Sequence, residues 1–449
     1  MKHLFLLFSL VFPVISVDLT CPTTPITSAS QKGSFPAAGP SLFPANYKCG
    51  IQFQIPVGQV LYFGIQISLD FFTQDNFTIQ DSTATVYQFY ITDKEFYAPP
   101  TFALAQISTV SNTSTYYFTW EYRSIAGYTK IQKPTGSIVP LNWTANTYYE
   151  FTSPNDRVAF HTGSFKQTTD LSLPRVYVYD GEDLSAPFVG NLQYFTDKNP
   201  VSTGKSLTLV NFYNREVQSY GIANDYSTIS GFDDYSFMVM TDIDWFVHEL
   251  ALPGTETAIT YYSLNTDMSY LTFLNYLYPN ISGQEVRVRA LTPTDRQTTT
   301  LLSYNPDNTL ASLPQQIPSK VFTVVFHQCE VYITVRPLPY TLWSQANPGR
   351  LGYIMSPSVW NPNLPVIPQY FTNMTSTSKL KFTFNVPSVV IDEKGAKLRI
   401  EVGSADSSPQ VIEFNQTTVN TGQTVAHGSY IATSFTGTTS KSSFIMRMI

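Results

Sequence analysis

The chain has 449 residues, enough for three or four domains of ordinary size, and a formal net charge of −6 at pH 7. Hydrophobic residues reach 43% and aromatics 15%, which supplies several packed cores, while charged residues stop at 13%, about half the usual share. That balance excludes a charge-rich disordered chain, and the lack of clustered Lys and Arg argues against nucleic acid as a partner.

The first segment reads as an export signal. Lys2 and His3 precede an apolar stretch from Leu4 to Ile15, and Val14 and Ser16 place small side chains before a cleavage point ahead of Val17. The run is shorter than the ~20 residues that span a bilayer, and Pro13 would interrupt a helix there. No later segment is apolar enough to span, and Ser442 to Ile449 is too short and too charged for a GPI tail. Peripheral association with a membrane is left open.

Three cysteines follow. In an oxidising compartment Cys21 and Cys49 are expected to pair, tying the start of the mature chain to its first module; closing such a loop removes about 3–4 kcal/mol of unfolded-state entropy. Cys329 then has no partner in the chain, and reads either as a packed thiol or as half of an intermolecular disulfide. Asn76, Asn112, Asn142, Asn280, Asn373 and Asn415 each open a glycosylation sequon. Six behind an export signal point to a glycoprotein, although a sequon facing a core carries no glycan.

From there strand patterns dominate. Apolar side chains recur every second residue or in short runs, as in Val60 to Ile67, Val176 to Tyr179 and Val321 to Phe326, closed by Gly, Pro, Asn or Asp. Four similar strands begin at Phe77, Val176, Val286 and Leu398, roughly 100 residues or slightly more apart, the length of one antiparallel sandwich. Each leads to a closing strand: Tyr117 to Tyr122, Tyr235 to Met240, Val331 to Val335 and Phe444 to Met448. The expected organisation is a signal at 1–16 and all-β modules at 17–133, 134–242, 243–340 and 341–449.

Two segments carry a family resemblance. Phe43-Pro44-Ala45-Asn46-Tyr47-Lys48-Cys49, with Ile55-Pro56-Val57-Gly58 behind it, resembles the opening of a CUB domain. Asp75-Asn76-Phe77-Thr78-Ile79-Gln80-Asp81-Ser82 resembles its Asp-Tyr-Val-x-Val-x-Asp-Gly signature, as does Val176-Tyr177-Val178-Tyr179-Asp180-Gly181. Together with the few cysteines, the chain is similar to the nematode CUB-like secreted proteins. The resemblance implies tandem jelly-roll-like antiparallel β-sandwiches, expression tied to innate immune or stress responses, and no catalytic residues. A second disulfide typical of CUB domains is missing. Of the family's calcium ligands only Asp75 matches; Ile67 stands where the first acid would fall and Ser111-Asn112-Thr113 where the last would, so no metal is expected.

Other chemistry is sparse. His161, His248, His327 and His427 lie far apart, and His248-Glu249 begins like a zinc-protease helix but has Leu252 in place of the second ligand. Asp233-Asp234 and Asp242 with Asp244 read as solvated loop acids. Neither a nucleophile elbow nor a phosphate loop occurs, so neither catalysis nor a cofactor is expected. Tyr87, Tyr90 and Tyr97, with Phe89 and Phe96, form a candidate binding patch, since exposed rings with polar tips suit sugars and proteins. The leading reading is a secreted recognition or effector protein that binds an extracellular protein or glycan. The alternative is a structural matrix or adhesive glycoprotein. The oligomeric state is not specified.

Overall fold

A computed structural model describes residues 18–70, 72–90, 94–164, 170–195, 199–296, 299–364, 369–436 and 441–449. The export signal lies outside the described residues. Strands make up nearly all of the regular structure, and the helices are single turns such as Tyr226–Ile229. Among the described residues no helix is long and apolar enough to cross a membrane.

The first sandwich packs two sheets face to face. One runs Lys48–Ile55, Thr101–Ser108, Asn76–Gln80, Val86–Phe89; the other runs Lys32–Phe35, Thr115–Ser124, Gln59–Ser68, Lys94–Ala98. Strict alternation along Lys48–Ile55 turns Cys49, Ile51, Phe53 and Ile55 inward. There Phe53 and Phe63 meet edge to face at 5.1 Å, and Phe77 and Phe118 lie 5.5 Å apart. Cys21 and Cys49 are joined, which anchors the entering chain where Ile26 bridges in parallel to Phe53.

The next two sandwiches share a plan. In the second, the main sheet runs Thr129–Pro134, Thr147–Thr152, Ser206–Asn211, Val176–Tyr179, Phe188–Asn191. In the third it runs Asp234–Met240, Glu256–Ser263, Val321–His327, Glu285–Ala290, Thr300–Tyr304. Both open with a parallel pair and continue antiparallel. The fourth unit is a seven-stranded sheet whose long strand Tyr370–Val390 shifts register twice and so serves both halves of the fold. Here too a parallel bridge, Gln345 to Thr375, stands at the start.

The repeated strands have one structural meaning. Asn76–Gln80, Val176–Tyr179, Glu285–Ala290 and Lys397–Ser404 each lie one place in from an edge of their sheet, and each pairs with the strand that follows it in the chain. One assignment needs correction. The strand Asp234–Met240 does not close the second module; it pairs with Glu256–Ser263 in the third. Its two faces explain this: Met240 enters the core of the third sandwich while Tyr235, Phe237 and Val239 cover the second.

Neighbouring sandwiches are docked through buried joints. Tyr97, Tyr177, Tyr179, Val210 and Phe212 close the first joint. At the second the backbones come so near that a Cβ on Gly163 would lie 2.7 Å from the Phe237 carbonyl oxygen. The Tyr235 hydroxyl there accepts from Asn224 Nδ2 at 3.1 Å. At the third, Tyr370 donates to Gln316 Oε1 at 2.5 Å, while Gln315 binds both the amide and the carbonyl of Tyr353. Cys329 lies in the short link from Val321–His327 of one sheet to Glu330–Arg336 of the other, and is only 2% exposed, packed in the core of the third sandwich, where burial pushes its thiol up to about 12.

Replacing Cys21 with Ser should lower the stability of the first sandwich by about 2–5 kcal/mol, the usual cost of losing a native disulfide. Urea unfolding followed by the fluorescence of Trp120 checks this; an unchanged midpoint would show that the pair is dispensable.

Candidate functional site

The tyrosine patch expected at Tyr87, Tyr90 and Tyr97 is not a free surface. Only Tyr90 stands out, at 49% exposure, whereas Tyr97 retains 6%. Alternation along Lys94–Ala98 sends Phe96 into the first sandwich and turns Tyr97 to the sheet's outer face, where the second sandwich covers it. Its ring meets Tyr62 at 5.3 Å, Phe212 at 5.8 Å and Tyr213 at 4.8 Å. The Tyr97 hydroxyl accepts from Arg123 Nη1 at 2.7 Å, its carbonyl accepts from the Tyr177 hydroxyl at 2.6 Å, and burial raises its pKa to about 12. Tyr87 is half-buried; its hydroxyl donates to Asp81 Oδ2 and accepts from Asn191 Nδ2 of the second sandwich, both at 2.9 Å. Arg215 and Glu95 add an ion pair across the same joint at 3.0 Å. These aromatics fasten two modules together.

The acids of the signature have structural work. Asp75 is buried and caps the loop after Thr101–Ser108, accepting from the amides of Val110 at 2.6 Å and Ser111 at 2.9 Å and from the Ser111 hydroxyl at 2.5 Å. Burial alone would raise its pKa, but hydrogen bonds from Ser111, Ser114 and Val110 prevail and hold it at about 2. Asp81, also buried, accepts from the amides of Thr83 and Thr85 and so shapes the turn before Val86–Phe89. Ile67 is a core residue. Among the described residues no group of three or more His, Cys, Asp or Glu is placed to hold a metal.

The histidines occupy separate sites. His161 is buried against the edge of Tyr235 at 4.6 Å, and burial lowers its pKa to about 3. His327 Nδ1 lies 3.2 Å from Glu256, and His427 is exposed on the fourth sheet. His248 sits on a strand, so the zinc-helix pattern has no structural basis there. Asp233, Asp234, Asp242 and Asp244 are all exposed. Of the sequon asparagines, Asn112, Asn142, Asn280, Asn373 and Asn415 are exposed and Asn76 is half-buried.

A different surface emerges on the third sandwich. Its second sheet runs Trp245–Leu250, Glu330–Arg336, Ser269–Tyr276, Gln315–Ile317. Trp245 faces the core, while Phe246, His248 and Leu250 of the edge strand point to solvent. The register sets Phe246 and Phe273 on either side of Thr334, and His248 and Asn275 on either side of Tyr332. Phe246 is 58% exposed and Phe273 46%. The Phe246 and Tyr332 rings lie 5.2 Å apart at 16°, and His248 Nε2 meets Glu330 Oε1 at 2.8 Å. A solvated sheet face is normally polar, so large rings displayed together set this face apart from the others. Sequence reading missed this face because Trp245 to Leu250 is apolar at both parities, which conceals its outward side.

Two substitutions separate the joint from the surface. Tyr97→Ala should cost about 3–5 kcal/mol, as for other large buried aromatics, whereas Tyr90→Ala should stay within about 0.5 kcal/mol; thermal unfolding of both variants decides it. Asp75→Asn should cost about 2 kcal/mol at neutral pH by placing an amide against donors. The Asp75 pKa is depressed from 3.8 to about 2, so its contribution is complete above 3.8 and lost as pH falls between those values. The difference between wild type and Asp75→Asn should therefore shrink over that window, as read by denaturant midpoints at each pH.

Comparison with known proteins bears on the first sandwich. No curated protein matches the chain. Among solved structures, the CUB1-EGF-CUB2 domains of rat MASP-1 overlap 70% of this chain and 99% of their own at 9% identity and a TM-score of 0.19. The extracellular region of zebrafish Gpr126/Adgrg6 overlaps 71% of this chain and 53% of its own at 9% identity and 0.20. A triple jelly-roll protein of an archaeal virus overlaps 91% and 82% at 8% identity and 0.15. Overlaps this loose carry no functional argument. The family model for the CUB-like domain does match the sequence, over the stretch that holds the Cys21–Cys49 bridge and the Asp75 cap. The chain carries a CUB-like domain at residues 16–126.

Proposed function

We propose that this protein is a secreted, N-glycosylated recognition protein without catalytic activity, built of four sandwiches, that binds a glycan through the aromatic face of the third. The observation that carries the reading is the outward display of Phe246, Phe273 and Tyr332 among Thr334, Asn275, His248 and Glu330. Sugars combine apolar C–H faces with rings of hydroxyls, so a binding surface needs flat rings interleaved with hydrogen-bonding groups. The export signal, the exposed sequons and the CUB-like domain support an extracellular site of action. The resemblance to nematode CUB-like secreted proteins supports a role in innate immune or stress responses.

A second reading, a structural or adhesive matrix glycoprotein, has its own support. Three buried joints would make the chain a stiff spacer. Screening the mature protein on a glycan array and on whole bacterial surfaces separates the two. Each aromatic contact is worth about 0.5–1.5 kcal/mol beyond its buried area, so the double variant Phe246→Ser, Phe273→Ser should weaken retention roughly tenfold with the fold intact. Failure of every glycan to bind, with concentration-dependent oligomers instead, would favour the spacer. Retention by a purified protein that depends on the same two rings would keep the face and replace the ligand.

A further inference from the structure

Two exposed aromatic rings share one relation to a sequon. Tyr278 lies two residues before Asn280 and is 57% exposed; Phe371 lies two residues before Asn373 and is 61% exposed. The other four sequons have Gln74, Val110, Pro140 and Glu413 at that position, none of them a ring.

The first pair sits on a turn. Residues 278–282 follow the strand Ser269–Tyr276, and every one of them is exposed. The Ile281 amide donates to the Tyr278 carbonyl at 3.3 Å, which closes the turn over Pro279 and Asn280. Gln328 pins it from beside: its Nε2 donates to the Ser282 carbonyl at 3.1 Å, while its Oε1 accepts from the Gly254 amide at 3.3 Å. Tyr278 and Asn280 are thus held at a short spacing with both side chains in solvent.

The second pair sits on a strand. Tyr370–Val390 opens with buried and exposed residues in strict alternation, so Phe371, Asn373 and Thr375 share its outer face. Residues two apart on one face lie about 6.8 Å from each other. Across the ladder Asn373 is opposite Ala432 and Phe371 opposite Ser434, so neither meets a large side chain there.

We infer that Tyr278 and Phe371 are platforms for the chain's own glycans, each packing against the first N-acetylglucosamine on the asparagine two residues on. Both contacts rest on the N-glycosylation proposed above, and they single out Asn280 and Asn373 among the six sequons. An exposed ring offers a flat apolar face of negative charge density, to which a pyranose presents its polarised C–H bonds. The asparagine linkage tethers that sugar beside the ring, so the contact forms within one molecule and at high effective concentration. A sugar so placed covers an apolar surface that otherwise faces water.

Native release of the glycans by a peptide:N-glycosidase tests both pairs. The full mature chain, secreted from cultured eukaryotic cells, is digested without denaturant in heavy-oxygen water. The enzyme leaves a labelled aspartate at each released site, and mass spectrometry follows the label with time. Release at Asn280 and Asn373 should be roughly three- to tenfold slower than at Asn142 and Asn415, which are exposed but have no ring two residues earlier. Tyr278→Ala should remove the delay at Asn280 alone, and Phe371→Ala that at Asn373 alone. Tyr278→Phe keeps a ring and should keep the delay. Both rings are exposed, so their loss removes no core packing. Equal release at all four asparagines, or a delay that survives loss of the ring, would overturn the contacts. Glycan at Asn142 or Asn415 with none at Asn280 and Asn373 would also overturn them, while leaving the chain a glycoprotein. Six unmodified asparagines would overturn the N-glycosylation itself and the contacts with it.

Discussion

A sheet that is apolar on both faces cannot stand alone in water, and the second sandwich contains one. Val176–Tyr179 and Ser206–Asn211 are buried along their whole length. Val176 and Val178 belong to the core of their own sandwich, while Tyr177 and Tyr179 project the other way into the joint with the first. Burying such a side chain contributes about 1.5–3 kcal/mol, and the exposed alternative would present a patch of adjoining rings to solvent. Docking of the first two sandwiches therefore covers a face that would otherwise be exposed.

The same condition operates at the other joints by different means. Between the second and third sandwiches, polar groups do much of the fitting: Asn224, Tyr235, Thr260 and Thr323 form one chain of hydrogen bonds at 2.8–3.1 Å, each satisfied by the next. Between the third and fourth, the side chains of Gln315 and Gln316 reach across as substitutes for backbone pairing. Met355 and Trp360 of the fourth unit even complete the core of the third. With these faces consumed, the outer face of Trp245–Leu250 and its neighbours stays open among the described residues, with Phe246 and Phe273 about half exposed.

Local chemistry made much of the architecture legible. Period-two alternation along Lys48–Ile55 announces a half-buried strand, and the spacing of the strands at Phe77, Val176, Val286 and Leu398 announces a repeat that recurs at one position in each sheet. The pairing of Cys21 with Cys49 followed from compartment and count. Asp234–Met240 is harder to assign from the sequence. Both of its faces are buried, and pattern alone cannot say which neighbour claims which face.

The amino-acid sequence by itself determined the strands, their repetition, the disulfide and the CUB-like opening, since each rests on residues close along the chain or on redox chemistry. Tertiary structure alone decided that Tyr97 lies in a joint while Phe246 lies in the open. Alternation assigns a side chain to one of two faces of a sheet. What covers that face depends on residues roughly a module away, and contacts at such separation leave no local pattern to read.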